Sequence, residues 1–105
     1  MKREIIEKLI KFRDDRDWKQ FHSEENLAKS ISIEAGELLE CFQWTSKYDK
    51  KEVIEELADI LIYIALLAET LDVNIDEIVQ KKIEQNSKKY PVEKAKGTSK
   101  KYTKL

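Results

Sequence analysis

Only one proline, two glycines and one cysteine occur among 105 residues. So few breakers leave little of the turn chemistry that hairpins require, and no β-branched alternation runs along the chain, which excludes a sheet as its framework. A lone Cys41 provides no disulfide framework, and a reducing cytoplasm is the expected setting. Long hydrophobic stretches are missing too. The longest uncharged run, Ile60 to Ala68, is far too short to span a bilayer, and Met1-Lys2-Arg3-Glu4 lacks the apolar segment of a signal peptide. No glycine-rich phosphate loop, nucleophile elbow or zinc-ligand cluster is present.

What is abundant is charge. Acids and bases nearly cancel to a net charge of -1, but unevenly: from Lys88 onward seven lysines face one acid, Glu93. That tail carries about +6, leaving about -7 on the body. An acidic body of this kind does not suit binding along a nucleic-acid backbone. The length fits one domain whose modest core gains from pairing with further copies of the chain.

Apolar residues recur at helical spacing throughout. A first helix is expected from Lys2 to Asp15 on Ile5, Ile6, Leu9, Ile10 and Phe12. The connector Arg16-Asp17-Trp18-Lys19-Gln20-Phe21-His22 follows. Ser23 suits the N-cap of a second helix reaching about Trp44, and Asp49 the cap of a third reaching about Leu71, with Glu52 in the capping-box position. The third helix is apolar on most sides in its second half, as a central or interface helix is. Asn74 opens a fourth helix that Pro91 ends. An all-α four-helix bundle over residues 1–91 results, with a lysine-rich tail over 92–105 that is flexible by composition.

Two acidic pairs stand out. Glu34 and Glu37 on the second helix, and Glu56 and Asp59 on the third, are each spaced i, i+3 and so share one face. A single pair of this kind is commonplace: Glu37 and Glu40 repeat the spacing, and the ordinary reading is a solvated or salt-bridged acid. Two pairs on consecutive antiparallel helices, one beside the most apolar segment, point instead to a divalent cation, because an ionised carboxylate in apolar surroundings needs a partner. Four hard oxygen donors suit Mg²⁺, Mn²⁺ or Ca²⁺ rather than zinc or copper, and without Glu-x-x-His pairs a di-iron centre is disfavoured. A carboxylate-held Mg²⁺ commonly completes its shell with substrate phosphates.

Tyr63 continues the stripe of Glu56 and Asp59, and Trp44 falls two turns beyond Glu37. With Trp18, Phe21 and His22 these rings either fill the core or stack on a nucleobase. Lys82 and Asn86 stand one turn apart late in the fourth helix, as donors for phosphate would.

The segments Arg16-Asp17-Trp18-Lys19-Gln20-Phe21-His22, Glu34-Ala35-Gly36-Glu37, Phe42-Gln43-Trp44, Glu55-Glu56-Leu57-Ala58-Asp59 with Tyr63, Lys82 with Asn86, Tyr90-Pro91 and the Lys-Tyr-Thr-Lys-Leu ending together resemble the MazG-like nucleotide pyrophosphohydrolases, and within them the dCTP pyrophosphatase branch. The likeness extends over essentially the whole chain. It implies an all-α NTP pyrophosphatase fold, assembled as a dimer or as a tetramer built as a dimer of dimers. It also implies Mg²⁺-dependent hydrolysis of a nucleoside triphosphate, dCTP or a modified dCTP, between the α and β phosphates. Glu34, Glu37, Glu56 and Asp59 would hold the metal and carry the catalysis. Trp18, Phe21, His22, Trp44 and Tyr63 would surround base and sugar, and Lys82 and Asn86 would meet phosphate. Two positions depart from the branch: Leu9 stands where a substrate-contacting histidine can occur, and Lys89 where an arginine precedes the Tyr-Pro pair. The rival expectations are a non-catalytic helical dimerisation module and nucleic-acid binding through the lysine tail.

Overall fold

A computed structural model describes residues 1–105. It contains helices and turns only: α1 (Arg3–Asp15), α2 (Glu24–Glu40), α3 (Lys50–Thr70), α4 (Ile75–Lys89) and the short α5 (Val92–Ala95), with 3₁₀ turns at Lys19–Phe21 and Tyr102–Lys104. The all-α expectation holds. The chain forms two compact units, Met1–Val73 and Asn74–Leu105.

In the first unit, two of the expected starts are decided by side-chain chemistry. Ser23 Oγ accepts the Asn26 N–H at 3.2 Å, and Asp49 Oδ1 accepts the Lys51 N–H at 2.9 Å. Each satisfies a backbone donor that the first turn leaves open. At Asp49 the bond goes to Lys51 rather than to Glu52, so the cap forms without the expected capping box. Two helices end in the same way. Asp17 and Asp72 both adopt left-handed φ of 54°. At each, the following N–H reaches back across the last turn, from Trp18 to the Arg13 carbonyl at 3.1 Å and from Val73 to the Ala68 carbonyl at 3.0 Å. These are Schellman ends, with aspartate where glycine is commoner.

Helix α2 corrects one expectation. It stops at Glu40 instead of continuing to Trp44, and residues 41–44 form turns with Trp44 at φ 65°. Local interactions compete with the helix here. The Thr45 hydroxyl accepts the Lys47 N–H and donates to the Lys47 carbonyl, both at 3.0 Å. The Phe42 ring meets that of Tyr48 at 4.9 Å. Such side-chain bonds give the backbone an alternative to helix.

Helices α2 and α3 pack as an antiparallel hairpin, and α1 lies against α3. The buried apolar residues are Leu27 from α2 and Ala65, Leu66 and Ala68 from α3. Alanines at two of these positions allow close helix approach. Helix α3 is thus the central element its apolar run suggested. Much of the remaining apolar surface, including Phe12, Leu39, Leu57, Leu61 and Ile62, stays exposed.

In the second unit, Asn74 Oδ1 caps α4 by accepting the Glu77 N–H at 3.1 Å. Beyond Pro91 the basic segment is partly structured. Tyr102 sets its ring edge-on to Tyr90 at 6.0 Å, with the Lys89 ammonium 4.9 Å from its centroid. A cation over a ring face is a favourable electrostatic contact. No helix of the chain is long and apolar enough to cross a membrane.

Candidate metal centre and adjoining pocket

The hairpin brings the two acidic pairs together. Rising numbers on α2 meet falling numbers on α3: Cys41 feels Glu52, Glu37 lies near Glu56, and Glu34 lies near Asp59. One carboxylate oxygen each from Glu34, Glu56 and Asp59 falls within 4.8 Å of the others. Glu37 lies close enough to act electrostatically on both Glu34 and Glu56. Three of the four acids singled out by spacing thus lie within ligand distance of one another, and Glu37 adjoins Glu34 and Glu56.

Their electrostatics are those of a site under repulsion. Desolvation, followed by the hydrogen bond and charge of Glu37 and then the charges of Asp59 and Glu56, pushes Glu34 up to about 7. Glu56 is also raised, chiefly by desolvation and then by Glu37. Like charges at close range disfavour simultaneous ionisation. One oxygen each of Glu34 and Glu56, both Oε2, is buried without a hydrogen-bond partner. Orphaned buried oxygens in an all-carboxylate cluster with no paired cation fit a hard divalent ion.

Two hollows flank the cluster. One, of about 380 Å³, is bordered by Glu37, Glu40, Cys41, Glu52, Glu55 and Glu56. Burial and then the charges of Glu52 and Glu56 raise the Cys41 thiol, which disfavours its thiolate. The other hollow, of about 240 Å³, is bordered by Glu34 and Asp59 together with Arg13, Trp18, His22 and Tyr63, over a floor of Leu9, Phe12, Ile62 and Leu66.

The connector builds that second wall. The Schellman end of α1 turns the chain so that Trp18 folds back on Phe12, ring centroids 5.7 Å apart and nearly perpendicular. A contact of this kind across the helix end is the usual companion of the motif. Arg16 lies 3.7 Å from the Phe12 ring centroid. The turn Lys19–Phe21 then leads to His22, and Asn26 Nδ2 ties it down by donating to the Phe21 carbonyl at 3.0 Å. Burial, and secondarily the Arg13 charge, lowers the His22 pKa, so the ring is neutral at neutral pH. Its Nδ1 is buried and unpartnered.

Of the expected ring residues, Trp18, His22 and Tyr63 line this pocket. Phe21 is exposed on the connector, and Trp44, 93% exposed after the end of α2, does not border it. Lys82 and Asn86 are exposed on α4, in the second unit. Sequence reasoning missed Arg13. The signal was available: Arg13 continues the apolar stripe of Ile6, Leu9 and Ile10, where a charge should not stand unless it has a purpose.

Helices that gather carboxylates beside an aromatic pocket define an all-α fold with a candidate divalent-cation centre. Residues 29–105 match the MazG-like family. The chain belongs to that family. Among curated proteins it is 38% identical over 104 residues to dCTP pyrophosphatase 1 of Mus musculus and of Homo sapiens, which covers 90% of this chain and 61% of each relative. The chain thus spans about three-fifths of the length of the curated relatives it matches. Among solved structures it resembles a pyrophosphatase from Archaeoglobus fulgidus, with a TM-score of 0.79 and 46% identity over 84% of this chain and 90% of that one.

Proposed function

We propose that the chain is a Mg²⁺-dependent nucleoside triphosphate pyrophosphohydrolase, acting on dCTP or a modified dCTP in sanitation of the cytoplasmic nucleotide pool. The observation that carries this reading is the convergence of Glu34, Glu56 and Asp59 beside a pocket walled by Trp18, His22 and Tyr63. The names of the relatives, dCTP pyrophosphatase 1 and a pyrophosphatase, support it.

In this reading Glu34, Glu37, Glu56 and Asp59 hold Mg²⁺, with Mn²⁺ as a substitute. A bound divalent ion neutralises phosphate charge and acidifies water. One of these carboxylates orients or deprotonates the attacking water. Hydrolysis adds one water across the α–β anhydride, giving the monophosphate and pyrophosphate. Trp18 and Tyr63 offer ring faces to the base, and the neutral His22 offers a hydrogen bond through the unpartnered Nδ1. The family resemblance adds Phe21 and Trp44 as further substrate contacts, although neither borders this pocket, and Lys82 and Asn86 as phosphate contacts.

The apolar strip on α1 and α3, where Met1, Ile5, Leu9, Phe12, Leu61 and Ile62 border a hollow of about 430 Å³, supports self-association as a dimer or tetramer. It is also what a purely interacting helical module would present. Pyrophosphate release from a panel of dNTPs and NTPs with Mg²⁺ decides between them. The enzyme reading expects release from at least one nucleotide and none after chelation. Silence across the panel would leave the interaction module.

A further inference from the structure

Arg13 is the one charged residue in the core. Its side chain is 8% exposed, and a guanidinium so enclosed needs its donors satisfied. Nε donates to Asp14 Oδ1 at 2.8 Å, and Asp14 lies outside the pocket lining. The terminal nitrogens, Nη1 and Nη2, make no hydrogen bond to the protein, and Arg13 forms no ion pair with Glu34 or Asp59 although all three border the same hollow. The arginine is therefore not there to neutralise the acids. With Nε held from the side, the end of the guanidinium keeps two parallel donors for something that enters the pocket.

The surroundings narrow what that is. Trp18 and Tyr63 offer aromatic faces, and Leu9, one turn before Arg13, has no polar atom to compete.

We infer that Arg13 is a specificity-determining residue, whose Nη1 and Nη2 donate together to a nucleobase edge with two adjacent acceptors: O2 and N3 of cytosine, or O6 and N7 of guanine. This inference rests on the nucleotide reading of the site. Adenine sets its amino donor beside each edge acceptor, and thymine and uracil place N3–H between their two carbonyls, so those bases face the guanidinium with a donor. A buried donor pair left unmatched rejects the wrong base more strongly than a poor apolar fit does.

The test is calorimetric binding, with Mg²⁺, of the non-hydrolysable α,β-imido analogues of dCTP, dGTP, dATP and dTTP. The wild type should prefer the cytosine or the guanine analogue, and the preferred one identifies the edge. R13M, with a similar apolar stem and no donors, should weaken the preferred analogue on the order of 10–100-fold and change the adenine analogue by no more than about twofold. R13K keeps the buried charge but not the fork; it should lose at least about fivefold of the discrimination, and it carries the test if R13M does not fold. Equal weakening of all four analogues, or discrimination that survives both substitutions, would overturn the inference. Selective binding without turnover of any dNTP would sink the pyrophosphohydrolase reading and leave the Arg13 inference standing. Turnover with unchanged base selectivity in the variants would do the reverse, and no binding of any analogue by the wild type would end both.

Discussion

Glu34 and Asp59 of the acidic cluster on α2 and α3 face the same hollow as the aromatic wall supplied by α1 and its connector, yet the two walls are held by different means. The acids sit on a two-helix hairpin, where the i, i+3 spacing aligns each pair and antiparallel packing sets Glu34 beside Asp59 and Glu37 beside Glu56. The aromatic wall depends on a left-handed aspartate, Asp17, a 3₁₀ turn and one side-chain bond from Asn26. The acid wall is regular and electrostatically strained. The aromatic wall is irregular and knitted by hydrogen bonds. A site can therefore place its charge on rigid elements and its recognition on a loop that a helix end positions.

The contrast is sharpest for charge removal. Asp59→Asn or Glu34→Gln should lower Mg²⁺-dependent turnover on the order of 10³-fold, the loss expected when several kcal/mol of transition-state stabilisation disappear. The same variants should melt at a higher temperature than the wild type in the absence of metal, because repulsion within the cluster is relieved. Calorimetry in a chelator, beside a pyrophosphate assay, reads both; a lower melting point in both variants would mean that the acids are stabilising and not strained.

On the aromatic side, Trp18→Ala should weaken nucleotide binding roughly 5–100-fold, the worth of one stacked base, with a smaller effect on kcat. Trp44→Ala is the companion measurement. Trp44 does not border the pocket, so a smaller loss is expected, whereas an equal loss would seat both tryptophans against the base.

The pH response separates the walls further. Glu34 is pushed up to about 7 in the folded protein, above the ordinary glutamate value of 4.5, so the folded protein holds the proton more tightly. Its contribution to stability is fully present at low pH and is lost as pH rises from about 4.5 to about 7. His22 works oppositely. Its folded pKa is lowered below 6.5, so its contribution is present above that pH and is lost as pH falls. In metal-free protein, Glu34→Gln should reduce the downward slope of melting temperature between pH 5 and 7, with Glu56 keeping part of it and His22 opposing it. An unchanged slope would show that another group carries the titration.

The smallest effect is expected where the two walls join. Ser23→Ala removes the cap at the start of α2 and should reduce stability by about 1 kcal/mol in urea unfolding, with turnover unaltered.

Much of this was legible in the chain itself. Scarce glycine and proline with apolar residues at helical spacing specify helices, since that periodicity is a property of local geometry. Ser23, Asp49 and Asn74 mark helix starts because a cap bond is formed within three residues. The four acids could be picked out because two pairs each obey a short-range rule. The extension of α2 to Trp44 failed because periodicity does not register the competing bonds of Thr45 or the Phe42–Tyr48 contact.

Tertiary structure alone decided the rest. Which acids lie within ligand distance depends on the register of α2 against α3, and the pKa of Glu34 depends on charges from both helices. That Trp18 borders the pocket and Trp44 does not follows from how two helix ends turn, and Arg13 acquires its importance only where α1 meets α3. Sequence determines directly what residues within about one helical turn do to each other; burial, repulsion and shared cavities belong to residues far apart in the chain, and only the packed fold brings them together.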